Sequence, residues 1–246
     1  MKLYNALAYN GMPADFGNPI VVVYRRGDEP QMPAERIKEK TLQAWKQRCP
    51  IILDCEYPQT EYSPLGVDKV LDKLRIDIRV IRECRPLSTV GVYEIPWNFG
   101  NQLVNRYSGD KWMASAWEYM YQLGNDLKIE GAQYPYVKTD AKNGLIHQLD
   151  LLTPSYYAIP DQPHYFQMVE AMTAVIRRWF PGKPIIPFIS PINVINSARW
   201  DQGYWRAQLE FIRDNCDGAI IWDGQYGPSA NFPTNDPWVK ELERWI

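Results

Sequence analysis

The stretch Pro50-Ile51-Ile52-Leu53-Asp54-Cys55-Glu56 is apolar at first and then carries two carboxylates. The apolar run predicts a buried strand. Residues two apart in a strand face the same side, so Asp54 and Glu56 are expected to project together above Ile52. Like charges held close in a partly dry pocket push one pKa upward, which leaves one group able to donate a proton while its neighbour stays anionic. This arrangement suits glycosidase-type chemistry, although acids at a strand end also cap helices or bind loops.

Similar runs recur along the chain and predict a parallel sheet that is covered on both faces. The candidate strands are 3–9, 19–24, 51–56, 89–95, 149–157, 184–190 and 218–223. Amphipathic stripes predict helices at 37–45, 67–81 (opened by Ser63-Pro64), 112–121, 168–179, 205–216 and 237–246. The alternation predicts a TIM-like (β/α) barrel with seven or eight parallel strands, as one domain over residues 1–246. The doubly wound alternative lacks a Gly-rich phosphate turn.

The composition excludes several classes of partner. A formal charge of -2, from 27 basic and 29 acidic residues, gives no footprint for nucleic acid or an anionic membrane. Two histidines make a multi-histidine metal centre improbable, and four cysteines without ligand spacing are expected to be reduced thiols. We therefore predict no metal and no cofactor. With no Sec-type signal and no transmembrane segment, the localisation is unknown, either cytoplasmic or within a larger particle.

A barrel would gather the carboxyl ends of its strands around one cleft. The residues expected there are Tyr9 and Asn10, Tyr24 and Arg25, Asp54 and Glu56, Tyr93 and Glu94, Tyr156 and Tyr157, Ser190 and Asn193, and Trp222 and Asp223. Aromatic rings pack on the C–H faces of sugars while polar groups bind the hydroxyls. The ring of residues thus predicts a carbohydrate site, with ordinary core packing as the alternative for each aromatic residue.

Seven segments stand in a recognisable order: Asn5-Ala6-Leu7-Ala8-Tyr9-Asn10, 20–27, Ile52-Leu53-Asp54-Cys55-Glu56, Gly91-Val92-Tyr93-Glu94-Ile95-Pro96, Leu152-Thr153-Pro154-Ser155-Tyr156-Tyr157, 183–189 and Gly218-Ala219-Ile220-Ile221-Trp222. This order of motifs resembles the hyaluronidase family of glycoside hydrolases. The resemblance implies that Glu56 is the general acid and base, and that Asp54 orients the substrate's acetamido group as it attacks the anomeric carbon. Tyr93 and Tyr157 would then contact the sugar, and Trp222 would lie beneath it.

The other substrate-binding candidates are Glu94, Asp223, Tyr9, Asn10 and Tyr24. If Glu94 or Asp223 lay across the cleft, a carboxylate separation of about 5 Å would indicate a retaining mechanism and one near 8 Å an inverting one. A catalytically inactive barrel that binds a glycan, or that serves as a structural part of a larger assembly, is the main alternative. A hydrolase that binds a divalent cation through Asp54 and Glu56 is another. The sequence leaves the natural glycan and any protein partner open.

Overall fold

The computed structural model describes residues 1–7, 9–25, 31–54, 67–93, 145–157, 162–193, 198–223 and 231–245. It is a mixed α/β protein that divides into two compact units. The terminal unit contains the described residues of Met1–Asn18 and Pro154–Ile246, and the middle unit those of Pro19–Trp97 and Glu130–Thr153. That residues 1–246 form a single domain stays a prediction.

Helices and strands alternate along much of the described chain. The strands are β1 Lys2–Asn5, β2 Asn18–Pro19, β3 Val21–Tyr24, β4 Ile51–Asp54, β5 Val90–Val92, β6 Phe188–Ile189 and β7 Gly218–Ile221. The helices are α1 Ala34–Gln47, α2 Val67–Cys84, α3 Leu145–Gln148, α4 Gln162–Trp179, α5 Gln202–Asn215 and α6 Pro237–Leu242. In this part of the chain, no helix is long and apolar enough to cross a membrane.

The middle unit is built on a parallel sheet of order β3-β4-β5. Its central strand is buried on both faces, since Ile51, Ile52 and Leu53 are all fully excluded from solvent. This double burial explains why the sequence of β4 is continuously apolar instead of alternating. Helix α1 packs against β3, β4 and α2. Because the three strands run in parallel, their carboxyl ends at Tyr24, Asp54 and Val92 lie along the same edge of the sheet.

Gly91 is the middle residue of β5 and the register partner of Ile52 on β4. A Cβ atom added at Gly91 would lie 2.6 Å from Cδ1 of Leu151 and 2.8 Å from Cδ1 of Ile52. Real Cβ atoms essentially never come so close to other heavy atoms, so the two side chains occupy the volume that any larger residue would need. The glycine thus lets an apolar floor form from Ile52 and Leu151.

The terminal unit contains a sheet of order β2-β1-β7-β6, in which β1 and β6 both pair in parallel with β7. Strand β1 ends at Asn5, earlier than predicted. The Asn5 side chain donates to the backbone oxygen of Phe16 at 2.8 Å, and its oxygen accepts from the backbone nitrogen of Leu7 at 2.8 Å. These bonds turn the chain away from β7, although Ala6 still donates to Ile221 at 3.0 Å.

Other predicted elements also differ from the structure. The segment 149–157 is not a continuous strand, because Thr153 forms an isolated parallel bridge with Tyr93 while Ser155 forms one with Phe188. Pro154, between them, has no backbone N–H to donate. Helix α3 was not predicted, and the predicted helix 112–121 lies outside the described residues. The parallel α/β character is confirmed, and closure into a barrel stays a prediction.

Candidate functional site

In the middle unit, Asp54 is the last residue of β4 and lies between tyrosines at the ends of both neighbouring strands. Tyr24 is its register partner on β3, and Tyr93 follows β5. Two backbone hydrogen bonds fix this alignment. The N–H of Arg25 donates to the backbone oxygen of Asp54 at 3.0 Å, and the N–H of Tyr93 donates to the backbone oxygen of Leu53 at 2.9 Å. Register partners in a parallel sheet project to the same side. The carboxylate therefore emerges among two phenol side chains.

These three side chains differ in their exposure. Tyr24 is 49% exposed, Asp54 is partly buried and Tyr93 is 8% exposed. Two residues below Asp54 and Tyr93, on the same side, lie Ile52 and Gly91, where the apolar floor forms. A carboxylate above an apolar floor, with phenols on both sides, could bind a ligand that has both hydroxyl groups and C–H faces.

The predicted partner of Asp54 lies outside the described residues. Glu56 and Glu94 both fall there, so the pairing of Asp54 with Glu56, and the role of Glu94, stay predictions. Within the described chain, no group of three histidine, cysteine, aspartate or glutamate side chains is placed to hold a metal ion.

The terminal unit brings Tyr157 and Trp222 together. Their rings are stacked, with centroids 4.7 Å apart and planes inclined by 21°. Ser155 forms a β-bridge with Phe188, and Phe188 pairs with Ile220. Tyr157, Ser190 and Trp222 each lie two residues after one of these three partners. The register thus places Ser190 on the middle one of three neighbouring segments, of which the outer two carry Tyr157 and Trp222. Both residues are partly exposed.

Next to Trp222, the carboxylate of Asp223 is fully buried and bound by two side chains. Its Oδ2 accepts from the Tyr9 hydroxyl and from Nη1 of Arg199, the latter at 2.9 Å. Burial, reinforced by the hydrogen bond with Asp223, raises the pKa of Tyr9 well above its ordinary value. Burial acts to lower the pKa of Arg199, but the bonds to Asp223 and Tyr9 outweigh it and raise that pKa. The phenol and the guanidinium thus stay protonated around the carboxylate.

Arg199 reaches beyond Asp223 to the start of α6. Its Nη2 lies 3.5 Å from Oδ2 of Asp236, the residue before the first turn of that helix, and its guanidinium carbon lies 5.3 Å from the ring centroid of Trp238. Nε1 of Trp238 donates to the same Asp236 oxygen at 3.1 Å. Sequence reasoning missed Arg199, because it meets Asp223 across 24 positions and no local pattern marks it.

Asn10, another predicted residue, is exposed and forms an isolated parallel bridge with Asn231. Its backbone oxygen accepts from Phe232 at 2.9 Å, and the Phe232 ring packs edge-on against Tyr9 with centroids 5.8 Å apart. The predicted residues therefore fall into two groups, Tyr24, Asp54 and Tyr93 in one unit and Tyr9, Asn10, Tyr157, Trp222 and Asp223 in the other. Their convergence on one cleft stays a prediction.

No protein-family model matches the chain, and a comparison with curated proteins gives no match either. Among solved structures, the chain is similar to a chitinase from Rhizomucor miehei, with a TM-score of 0.43 and 10% sequence identity over all of both chains. At these values the likeness carries no argument about the activity of this chain.

Proposed function

We propose that the chain is a TIM-like barrel glycoside hydrolase that cleaves a polysaccharide or an N-acetylated glycan by general acid/base catalysis. The observation that best supports this proposal is the position of Asp54, at the end of a buried central strand between Tyr24 and Tyr93. A carboxylate with phenols on both sides, above an apolar floor, matches the mixed polar and apolar surface of a pyranose ring.

In the proposed reaction, Glu56 protonates the glycosidic oxygen as the bond to the anomeric carbon breaks. Asp54 accepts a hydrogen bond from the acetamido N–H of the substrate and so orients the acetamido oxygen for attack on the anomeric carbon. Glu56 then removes a proton from the water that opens the cyclic intermediate. The enzyme needs no nucleophile of its own, and the product keeps the anomeric configuration of the substrate.

The stacked rings of Tyr157 and Trp222 support the carbohydrate part of the proposal. Partly exposed, they offer an aromatic surface beside the polar ends of β6 and β7. Stacking of sugar C–H groups on such a surface gives affinity without charge. A neutral N-acetylated glycan therefore suits this group of residues well.

Hydrolysis of chitotetraose and of a hyaluronan oligosaccharide, followed by chromatography, tests the proposal. We expect Glu56→Gln to lower the rate by about 100-fold or more, because the glycosidic oxygen loses its proton donor. Glu83→Gln, at an exposed position on α2, is the matched control and should leave the rate unchanged. Activity that persists in Glu56→Gln would refute the assigned role.

The same assay separates the alternatives. Glycan binding without turnover by the wild-type protein would favour a catalytically inactive binding or structural protein. Turnover that is lost on chelation would favour a cation-dependent hydrolase. The anomer released, observed by proton NMR, decides the remaining step, because inversion would contradict attack by the acetamido group.

A further inference from the structure

The backbone at Trp222 and Asp223 is held on both sides. Trp222 donates its backbone N–H to the Ile189 oxygen at 3.0 Å, which ties the end of β7 to β6. Asp223 follows Trp222 directly along the chain, and its buried carboxylate is bound by Tyr9 and Arg199. The bonds to Asp223 therefore restrain the backbone from which the Trp222 ring extends.

Asp223 is held by one charged partner and one neutral partner. Its side chain is fully excluded from solvent, whereas that of Arg199 is 30% exposed. A buried carboxylate needs a charged or strongly hydrogen-bonding partner, and Arg199 supplies the positive charge while Tyr9 supplies a hydroxyl. The guanidinium is itself located by Asp236 and Trp238 at the start of α6.

From this geometry we infer that Arg199 is a positioning residue for Trp222, holding the ring against Tyr157 through the Asp223 carboxylate. Without the guanidinium, the buried Asp223 carboxylate loses its charged partner and is expected to move toward water. This movement would displace the end of β7 and turn the ring out of its stack. The sugar-binding consequence rests on the proposed function, whereas the effect on the ring does not.

A second ion pair in the same unit provides a matched control. The Glu241 side chain is 2% exposed and accepts from Nε and Nη2 of Arg206 at 2.9 and 2.8 Å. Arg206 lies on α5 and Glu241 on α6, so this pair joins the two helices and includes no residue at the end of β7. Arg206→Met thus removes a guanidinium from a buried carboxylate without touching Asp223.

The test measures the orientation of one ring by near-ultraviolet circular dichroism. The chain has 10 Trp, so the contribution of Trp222 is isolated by subtracting the spectrum of a Trp222→Phe partner in each background. We expect Arg199→Met to lose most of this contribution and Arg206→Met to keep it. Should Arg199→Met not fold, Arg199→Lys preserves the positive charge but lacks the fork that reaches both Asp223 and Asp236. It is expected to lose part of the same signal.

Binding of chitotetraose, followed by titration calorimetry, extends the test to function. We expect Arg199→Lys to weaken binding about fivefold, the scale of one misplaced aromatic contact, and Arg206→Met to leave it unchanged. An intact Trp222 signal in both Arg199 variants, or an equal loss in Arg206→Met, would overturn the inference. Wild-type protein that binds no glycan would instead count against the proposed function, and the spectra would still decide the role of Arg199.

Discussion

Replacement of Gly91 by alanine should destabilise the floor beneath Asp54. The added methyl group would lie 2.6 Å from Leu151 Cδ1 and 2.8 Å from Ile52 Cδ1, and both of these side chains are buried. Overpacking of this kind costs about 1–3 kcal/mol. Loss of glycine's freedom in the unfolded chain offsets up to about 1 kcal/mol. We therefore expect the free energy of unfolding to fall by about 1–2 kcal/mol.

A second substitution can relieve the clash. Leu151→Val removes the Cδ atoms, and with them the 2.6 Å contact, although alone it should cost about 1 kcal/mol. The double variant Gly91→Ala/Leu151→Val should lose less stability than the two single variants added together, by about 0.5 kcal/mol or more. Urea denaturation followed by far-ultraviolet circular dichroism measures all three variants. Leu87→Val is the control, since Leu87 is 98% exposed. Strict additivity would refute the packing argument.

Two further predictions concern buried neutral groups in the terminal unit. Burial raises the pKa of Tyr9, Tyr156 and Tyr165, so their protonated forms stabilise the fold. The free energy of unfolding should be constant below the unfolded phenol pKa of about 10 and should fall as pH rises above it, by up to about 1.4 kcal/mol per pH unit for each phenol. Urea titrations from pH 8 upward measure this, and a flat profile would contradict it. Burial also raises the pKa of the Cys216 thiol to about 12. Iodoacetamide at pH 8 should therefore alkylate Cys216 only after unfolding, as peptide mass spectrometry can show, and equal rates in folded and unfolded protein would disprove the shielding.

Helices were the part of the fold most accessible to sequence reasoning, because their signals are local. Helix α4 ends at Trp179 just before Pro181-Gly182, as predicted, and Gly182 has a φ of 82°. Helix α1 instead ends at Gln47, and its C-cap residue Arg48 adopts a left-handed φ of 54° without any glycine to signal the stop. The backbone N–H of Arg48 donates to the Trp45 oxygen at 3.2 Å and that of Cys49 to the Ala44 oxygen at 3.0 Å. These bonds use backbone atoms that every residue type carries, so the sequence shows no sign of them.

Strand ends were harder to predict, because distant partners set them. An apolar run predicted β1 to continue to Tyr9, but the side chain of Asn5 binds Phe16 and Leu7 and ends the pairing. The end of β3 was predicted correctly at Tyr24, an exposed residue that closes an apolar run. The predicted end of β4 at Glu56 lies outside the described residues. Local hydrophobicity thus located each strand but not its full pairing.

For the candidate site, sequence reasoning found residues but not their connections. The barrel pattern predicted Tyr24, Asp54 and Tyr93 at the carboxyl ends of successive strands. The register places the three residues side by side, and their convergence on a site stays a prediction. The ring of Tyr157 stacks on that of Trp222, and the buried carboxylate of Asp223 is paired with Arg199. Such contacts join residues far apart in sequence, so they became visible only with the fold.

The pairing of Lys2 with Gly218 has a consequence for how the chain is made. At about 5–20 residues per second, a ribosome needs about 10–40 seconds to add the 216 positions between these partners. Throughout that interval β1 has no β7 to join, whereas β3, β4 and β5 all emerge within the first 92 residues. The nascent polypeptide therefore contains all three strands of its middle sheet long before β7, the later partner of β1, has been added.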